Sequence, residues 1–189
     1  GTLYPYILRS NDEGKSWERI EIQTPAVTCD RNTLAMADAS VGYLTSGVPV
    51  GSPGYAQLYK TTDGGKTWQP QQTPFDGGDI LEMQAFTATQ LIVSTQHTVY
   101  FTSDGGASWT ARAAMNDMRH YYFTDFKTGY CTGGGSNGVG DQYRTVAYKT
   151  TDSAKTWIQI MDTLGRGVSA GDVITFYNDQ YGLLFARDD

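Results

Sequence analysis

The chain has 189 residues and a formal net charge of −6, with 22 glycines, 13 tyrosines and only 18% charged residues. This charge argues against a nucleic acid as the main partner, because phosphate binding needs a clustered basic surface. No apolar run is long enough to span a membrane as a helix. Abundant glycine and tyrosine instead favour short strands joined by tight turns.

The first recognisable element is residues 10–17 (SNDEGKSW), which follow the pattern [ST]-x-D-x-G-x-[ST]-W. Three more segments align with it without gaps, at residues 61–68, 102–109 and 150–157, and every tryptophan of the chain ends one of them. We name these segments box loops 1 to 4. Their spacing of about 40–50 residues is what four strands and their turns need. The sequence therefore predicts an all-β fold, a β-propeller of four-stranded antiparallel blades.

The residue types of a box loop suit a turn between two strands. The aspartate accepts hydrogen bonds from loop N–H groups and from the [ST] hydroxyl, and the glycine permits a positive φ. The tryptophan is expected to turn inward, with its indole N–H on the backbone. Box loop 4 has Ala154 where glycine is expected, which predicts strain or a different loop. Structural roles are predicted for Asp12, Trp17, Asp63, Trp68, Asp104, Trp109, Asp152 and Trp157.

A second repeat precedes each complete unit. Residues 36–43, 123–130 and 176–183 share an Asp or Asn at the third position and a glycine at the seventh. Residues 86–93 keep an aromatic residue but lose the acid and the glycine. The pattern predicts a hairpin of two inner strands, followed by a third strand, a box loop and a fourth strand.

The register of these repeats sets the predicted boundaries. They are a half-blade at 2–24, blades at about 33–75, 80–112 and 118–162, and a half-blade at 168–189. Three arrangements satisfy this order: a piece of a larger propeller, a closed four-blade ring, or a ring completed by a second chain. Open blade edges also predict self-association, because unpaired strands are templates for pairing.

The combination of T-x-D-G-G-K-T-W with the preceding hairpin resembles the Asp-box, or BNR, repeat. That repeat occurs in sialidases, sortilin-type receptors, xyloglucan-degrading glycosidases and the photosystem II assembly factor family, and this chain looks most like the last. The resemblance covers nearly the whole chain. It implies the propeller fold, whereas the function it implies is broad because one scaffold hosts unrelated activities.

A binding site is expected on the face opposite the box loops, where the loops between strands two and three and the connections between blades lie. Glycine-rich loops at 46–55 and 133–144 belong to that face. Converging arginines there would suit a carboxylate ligand or an acidic protein segment, and the alternative is solvated arginines paired with neighbouring aspartates. The candidate binding residues are Arg31, Arg112, Arg119, His120, Arg144 and Arg166.

The favoured function is a non-catalytic scaffold that binds a protein or a glycan, and the alternative is a glycoside hydrolase. Residues 6–9 (YILR) lack the F/Y-R-I-P motif of sialidases. A xyloglucanase needs two carboxylates across a cleft. The aspartates on the expected face, which cannot be paired from sequence, are Asp76, Asp79, Asp117 and Asp172. A sortilin-like receptor ectodomain is a third reading, although its cysteine-rich companion region is not in this sequence.

No metal or other cofactor is expected, because neither the box loops nor Cys29 and Cys131 have the spacing of metal ligands. The two cysteines would form a disulfide in an oxidising compartment or serve as small buried apolar residues. The expected location is secreted, periplasmic or at the cell surface, with the signal segment outside this chain.

Overall fold

The computed structural model describes residues 6–22, 34–46, 57–75, 80–115, 118–134, 145–162, 173–178 and 180–185. Within these ranges the chain forms β-strands and turns and no helix. The strands are β1 (Tyr6–Arg9), β2 (Glu18–Glu21), β3 (Leu34–Met36), β4 (Gly42–Ser46), β5 (Gln57–Thr61), β6 (Gln69–Gln71), β7 (Ile80–Ala85), β8 (Leu91–Thr95), β9 (Thr98–Thr102), β10 (Thr110–Ala113), β11 (Met118–Phe123), β12 (Gly129–Gly133), β13 (Val146–Thr150), β14 (Ile158–Asp162), β15 (Val173–Phe176) and β16 (Gly182–Phe185).

The strands form sheets in which neighbours along the chain are also neighbours in the sheet. Three sheets have four strands, in the orders β3-β4-β5-β6, β10-β9-β8-β7 and β11-β12-β13-β14. Two hairpins, β1-β2 and β15-β16, are two-stranded sheets. A four-stranded antiparallel meander is the blade of a β-propeller. The predicted fold class is confirmed.

Two compact units divide the chain, Gly1–Leu91 with Thr102–Trp109, and Ile92–Phe101 with Thr110–Asp189. The same strand register occurs in each of them. In the first unit Tyr43 of β4 lies opposite Lys60 of β5. In the second unit Tyr130 of β12 lies opposite Lys149 of β13. The sequence repeat is therefore also a repeat of cross-strand pairs.

The second strand of each four-stranded sheet carries the core. Every residue of β8 and of β12 is buried, and each of these strands pairs with another strand on both edges. The outer strands β2, β10 and β14 are mostly exposed. Aromatic and β-branched residues fill such central strands because they pack well on a pleated surface.

The glycine of the inner hairpin has a packing role. A Cβ at Gly129 would overlap the ring of Phe123, and a Cβ at Gly182 would overlap the ring of Phe176. The side chain that starts the turn therefore lies directly over the residue that re-enters the second strand, which only glycine allows.

A side-chain acceptor holds each inner turn. Asp38 accepts hydrogen bonds from the N–H groups of Ser40 and Val41, both at 2.7 Å. In the inner turn of residues 86–93, which has no acid at the third position, Thr87 Oγ1 accepts a hydrogen bond from the N–H of Gln90 at 3.0 Å. A hydroxyl replaces the carboxylate there, so the hairpin persists although its motif is incomplete.

One expectation for the tryptophans is wrong at box loop 1. Trp17 is 60% exposed rather than turned inward, because the β1-β2 sheet has only two strands to cover it. Its indole N–H does donate to Gly14 O at 3.1 Å, as that of Trp68 donates to Gly65 O at 3.1 Å. The indole nitrogen of Trp157, in contrast, is buried and has no hydrogen-bond partner in the ranges that the structure describes.

Candidate functional site

The four box loops have one hydrogen-bond pattern, seen in box loop 2. Asp63 accepts from the backbone N–H of Thr67 at 2.9 Å and from its hydroxyl at 2.7 Å. The Thr61 hydroxyl donates to Asp63 at 2.8 Å and accepts from the N–H of Gly65 at 2.8 Å. The same bonds recur in the other three loops. Each carboxylate thus accepts at least three hydrogen bonds from its own loop.

These bonds favour the charged form of the carboxylates. The hydroxyl and the backbone N–H of Ser108 lower the pKa of Asp104 to about 2. Thr156 lowers the pKa of Asp152 to about 2 in the same way. The pKa values of Asp12 and Asp63 are lowered as well, chiefly by the corresponding Ser and Thr hydroxyls. A general acid needs a raised pKa instead, so this chemistry suits turn building.

The fourth and fifth residues of each box loop have positive φ. In box loop 2 they are Gly64 (72°) and Gly65 (84°), whereas in box loop 4 they are Ser153 (60°) and Ala154 (60°). Box loop 4 therefore keeps the common shape without glycine. The left-handed region disfavours a Cβ, so Ala154 is strained, which is one of the two outcomes that its sequence predicts.

Box loops 2, 3 and 4 contact the inner turns of their own sheets. The N–H of Gly64 donates to Ser40 O at 2.8 Å, and the N–H of Ser153 donates to Lys127 O at 3.0 Å. Box loop 3 makes the equivalent bond, from the N–H of Gly105 to Thr89 O at 2.9 Å. Both kinds of turn therefore lie at the same end of a sheet. Loops between strands two and three lie at the other end, where the candidate site is expected.

Of the candidate residues, Arg112, Arg119 and His120 are described, while Arg31, Arg144 and Arg166 lie outside the described residues, as do Asp76, Asp79, Asp117 and Asp172. Their convergence therefore stays a prediction.

Arg112 is the most informative of the three described residues. It lies on β10 and is partly buried, and its Nη1 donates to the carbonyl oxygen of Ala111 at 2.9 Å. Its Nε is buried and has no hydrogen-bond partner within the described part of the chain. Arg119 is exposed on β11, beside a shift in register between Met118 and His120. A buried, unsatisfied N–H is costly, so Arg112 retains a donor that a ligand oxygen could satisfy.

Cys131 is a free, fully buried thiol on β12, and burial raises its pKa. The free Cys131 thiol fits the second of the two alternatives for the cysteines, a small buried apolar residue, while Cys29 lies outside the described residues. Among the described residues no group of His, Cys, Asp and Glu side chains is arranged to hold a metal ion. The same residues contain no helix that is long and apolar enough to cross a membrane.

The sequence analysis missed an open cavity of ≈ 510 Å³ on the β15-β16 hairpin. Phe176, Tyr177, Tyr181 and Leu183 line it together with Thr175 and Gly182. Tyr177 and Tyr181 are both exposed. They occupy turn positions where the other hairpins carry smaller or polar residues, such as Ala37 and Val41. Those two tyrosines were the signal that could have revealed it.

The comparisons with known proteins agree with this architecture. The family model described as "Sortilin, neurotensin receptor 3" (Sortilin-Vps10) matches residues 5–131 and 56–172. None of the curated proteins searched matches the chain.

Three solved structures are similar in fold. One is described as YCF48 bound to D1 peptide, with 24% identity and a TM-score of 0.53, covering 76% of this chain and 44% of that chain. The Niastella koreensis GH74 enzyme has 14% identity and a TM-score of 0.50, covering 82% and 34%. The GH74 xyloglucanase from Xanthomonas campestris has 16% identity and a TM-score of 0.51, covering 80% and 26%. The chain spans less than half the length of each.

Proposed function

The chain belongs to the Sortilin-Vps10 family, and we propose that it is a non-catalytic propeller that binds a carboxylate-bearing protein segment on the face opposite the box loops. The observation that carries this proposal is the buried Nε of Arg112, which has no hydrogen-bond partner among the described residues. A rotation of this partly exposed side chain would bring the guanidinium to a ligand carboxylate, which would satisfy the donor with a charge-assisted hydrogen bond. One of the solved structures of similar fold is described as YCF48 bound to D1 peptide, which supports a peptide as the ligand.

An acidic partner is supported by the local positive charge of this face and not by the net charge of the chain. The chain as a whole is negative, so an acidic segment would bind only where cations gather. Arg112 and Arg119 lie near the strand ends that face away from the box loops. Electrostatic steering by such a patch depends on ionic strength, so binding should weaken as salt increases.

The alternative function, a glycoside hydrolase, finds support in the fold of the GH74 enzymes. A glycosidase needs one carboxyl of raised pKa beside an ionised one. Hydrogen bonds lower the pKa of six described aspartates, and we interpret all of them as structural: Asp12, Asp38, Asp63, Asp104, Asp125 and Asp152. The binding role is therefore favoured.

Fluorescence anisotropy with a labelled acidic peptide as the probe tests the proposal. We expect salt-sensitive binding that Arg112→Ala weakens about tenfold, which corresponds to one charge-assisted hydrogen bond. Lys155→Ala is the matched control, since it removes one exposed cation at box loop 4 and should leave binding unchanged. Equal effects of the two substitutions would reject the Arg112 site. Release of reducing sugar from xyloglucan would instead establish the alternative.

A further inference from the structure

The outer strand β10 has an open edge whose hydrogen-bonding groups can be assigned. It pairs with β9 on one edge, and in the described part of the chain no strand pairs with its other edge. The N–H of Ala114 donates to His97 O at 2.9 Å, which continues the register of the two strands. Bonded and non-bonded pairs alternate along an antiparallel ladder, so Arg112 is also at a position bonded to β9. The backbone groups of Ala111 and Ala113 therefore point to the open edge.

Arg112 covers part of this edge in the unbound protein. Its Nη1 donates to the outward carbonyl oxygen of Ala111 at 2.9 Å. Its Nε is buried and has no hydrogen-bond partner among the described residues. Ala111 and Ala113 are exposed, and their side chains are small. The guanidinium thus occupies an acceptor that an added strand would need, while one of its own donors stays unsatisfied.

The other outer strands carry features that oppose the addition of a strand. Pro70 lies in the middle of β6 and has no N–H. The pairing of β14 with β13 shifts in register, and β2 contains two acidic residues, Glu18 and Glu21. Prolines, bulges and charges are the devices by which edge strands avoid pairing. β10 has neither a proline nor a shift in register, and its charged residue is a cation, which suits an acidic strand.

We propose that an acidic peptide segment adds as an antiparallel strand to the open edge of β10, and that Arg112 selects it by moving from Ala111 O to the carboxylate of the peptide. This mode of binding rests on the proposed function and deepens it. A peptide N–H replaces the guanidinium at Ala111 O, so that acceptor stays satisfied. The carboxylate gives Arg112 a charge-assisted hydrogen bond in return. A neutral peptide would break the bond of Arg112 without replacing it.

The alternation of a strand sets the position of the acid. Every strand pair that the structure describes is antiparallel, as is the added strand. The peptide residue opposite Arg112 has its side chain on the same face of the sheet, so this residue is the acid. Its own N–H points away from β10, as that of Arg112 does. The residues before and after the acid bond to Ala113 and Ala111.

N-methylated peptides test the strand addition. The probe is a short fluorescent peptide with one central glutamate and blocked termini. Methylation of the N–H that follows the glutamate should weaken binding about tenfold or more, because it removes the donor to Ala111 O. Methylation of the N–H of the glutamate itself is the matched control and should be tolerated. Equal losses for the two peptides, or the reverse order, would overturn antiparallel addition to β10.

A glutamine version of the peptide tests the selection by Arg112. The wild-type protein should prefer glutamate about tenfold, the effect of one charge-assisted hydrogen bond. In Arg112→Ala this preference should disappear. The glutamine peptide should bind that variant at least as tightly as the wild type, because no guanidinium has to leave Ala111 O. A preference that persists in Arg112→Ala, or an equal loss of both peptides, would refute the exchange at Ala111.

A proline on β10 tests the edge from the side of the protein. Ala113→Pro removes an outward N–H and no hydrogen bond to β9, which edge strands tolerate. We expect it to weaken binding of the glutamate peptide about tenfold. Ala113→Ser keeps the N–H and is the matched control. Thermal unfolding shows whether the proline variant is folded, and the N-methylated peptides decide the question if it is not.

These experiments distinguish failure of strand addition from failure of the proposed function. If the wild type does not bind the glutamate peptide, or if Arg112→Ala leaves binding unchanged, the proposed function is rejected together with its binding mode. If binding depends on Arg112 but neither N-methylation nor Ala113→Pro in a folded variant weakens it, the proposed function stands and strand addition is rejected.

Discussion

The ammonium group of Lys60 donates a hydrogen bond to the carbonyl oxygen of Gly105 at 3.2 Å, across 45 positions of sequence. The same ammonium lies 5.4 Å from the ring centroid of Tyr43, the residue opposite Lys60 in the neighbouring strand. One cation thus joins a strand of one blade to the box loop of the next. Box loops are therefore contact points between blades as well as turns.

Removal of this cation should destabilise the protein. We expect Lys60→Met to lower the free energy of unfolding by about 1.5–3 kcal/mol, the range for a hydrogen bond from a charged donor. Urea unfolding followed by tryptophan fluorescence measures the change. Lys66→Ala removes an exposed cation from box loop 2 and should change the free energy by less than about 0.5 kcal/mol. Equal losses would mean that the Lys60 contact contributes nothing.

Gly105, whose carbonyl oxygen accepts the hydrogen bond from Lys60, should tolerate a side chain less well than Gly106. Gly105 has a φ of 74°, and a Cβ there would lie 2.7 Å from Lys60 Nζ. Gly106 has a φ of 97°, but among the described residues its Cβ would meet Trp109 alone, at 3.8 Å. We expect Gly106→Ala to cost about 1–2 kcal/mol through backbone strain and Gly105→Ala to cost more. The reverse order in thermal or urea unfolding would contradict the proposed contact.

A glycine in box loop 4 should stabilise the protein. Ala154 has a φ of 60°, and relief of that strain outweighs the extra flexibility that glycine gives the unfolded chain. We expect Ala154→Gly to raise the free energy of unfolding by about 0.5–1 kcal/mol. Ala107 of box loop 3 is not among the residues of positive φ, so Ala107→Gly should destabilise instead. Destabilisation by both substitutions would show that Ala154 is not strained.

Acid should weaken the box loops. The pKa of Asp104 in the folded protein is about 2, below its usual value of ~4 in an unfolded chain. The ionised carboxylate therefore stabilises the fold fully above about pH 4, and this contribution is lost as the pH falls toward 2.

Comparison of Asp104→Asn with the wild type measures this effect. The variant should be less stable at pH 7 and should lose less stability between pH 4 and pH 2. Glu21→Gln, which changes an exposed residue on β2, should keep the wild-type pH dependence. A parallel pH dependence of Asp104→Asn and the wild type would exclude this role of Asp104.

The thiol of Cys131 should be unreactive in the folded protein. It is completely buried, and burial raises its pKa, so the thiolate that reacts is scarce. In a Cys29→Ser variant, Ellman's reagent at pH 8 should detect no thiol until denaturant is added. Fast labelling without denaturant would show that β12 opens readily.

The inner hairpins show how far sequence reasoning reaches. The acid and glycine of residues 36–43 and 123–130 correctly predicted hairpins, because a side-chain acceptor and a missing Cβ are both local requirements. The hairpin at residues 86–93 lacks both features and still forms, because Thr87 supplies the acceptor. The exposure of Trp17 was not predictable, since it depends on how many strands cover the box loop.

The all-β fold, the four box loops and the blade repeat could be predicted from the amino-acid sequence alone. Each of these follows from hydrogen bonds and φ angles within a few neighbouring residues. Only the tertiary structure decided that Lys60 bonds to Gly105, that Arg112 retains a buried donor and that Leu183 is exposed. These facts depend on which sheet packs against which, and such packing joins residues too distant in sequence for a local pattern to specify.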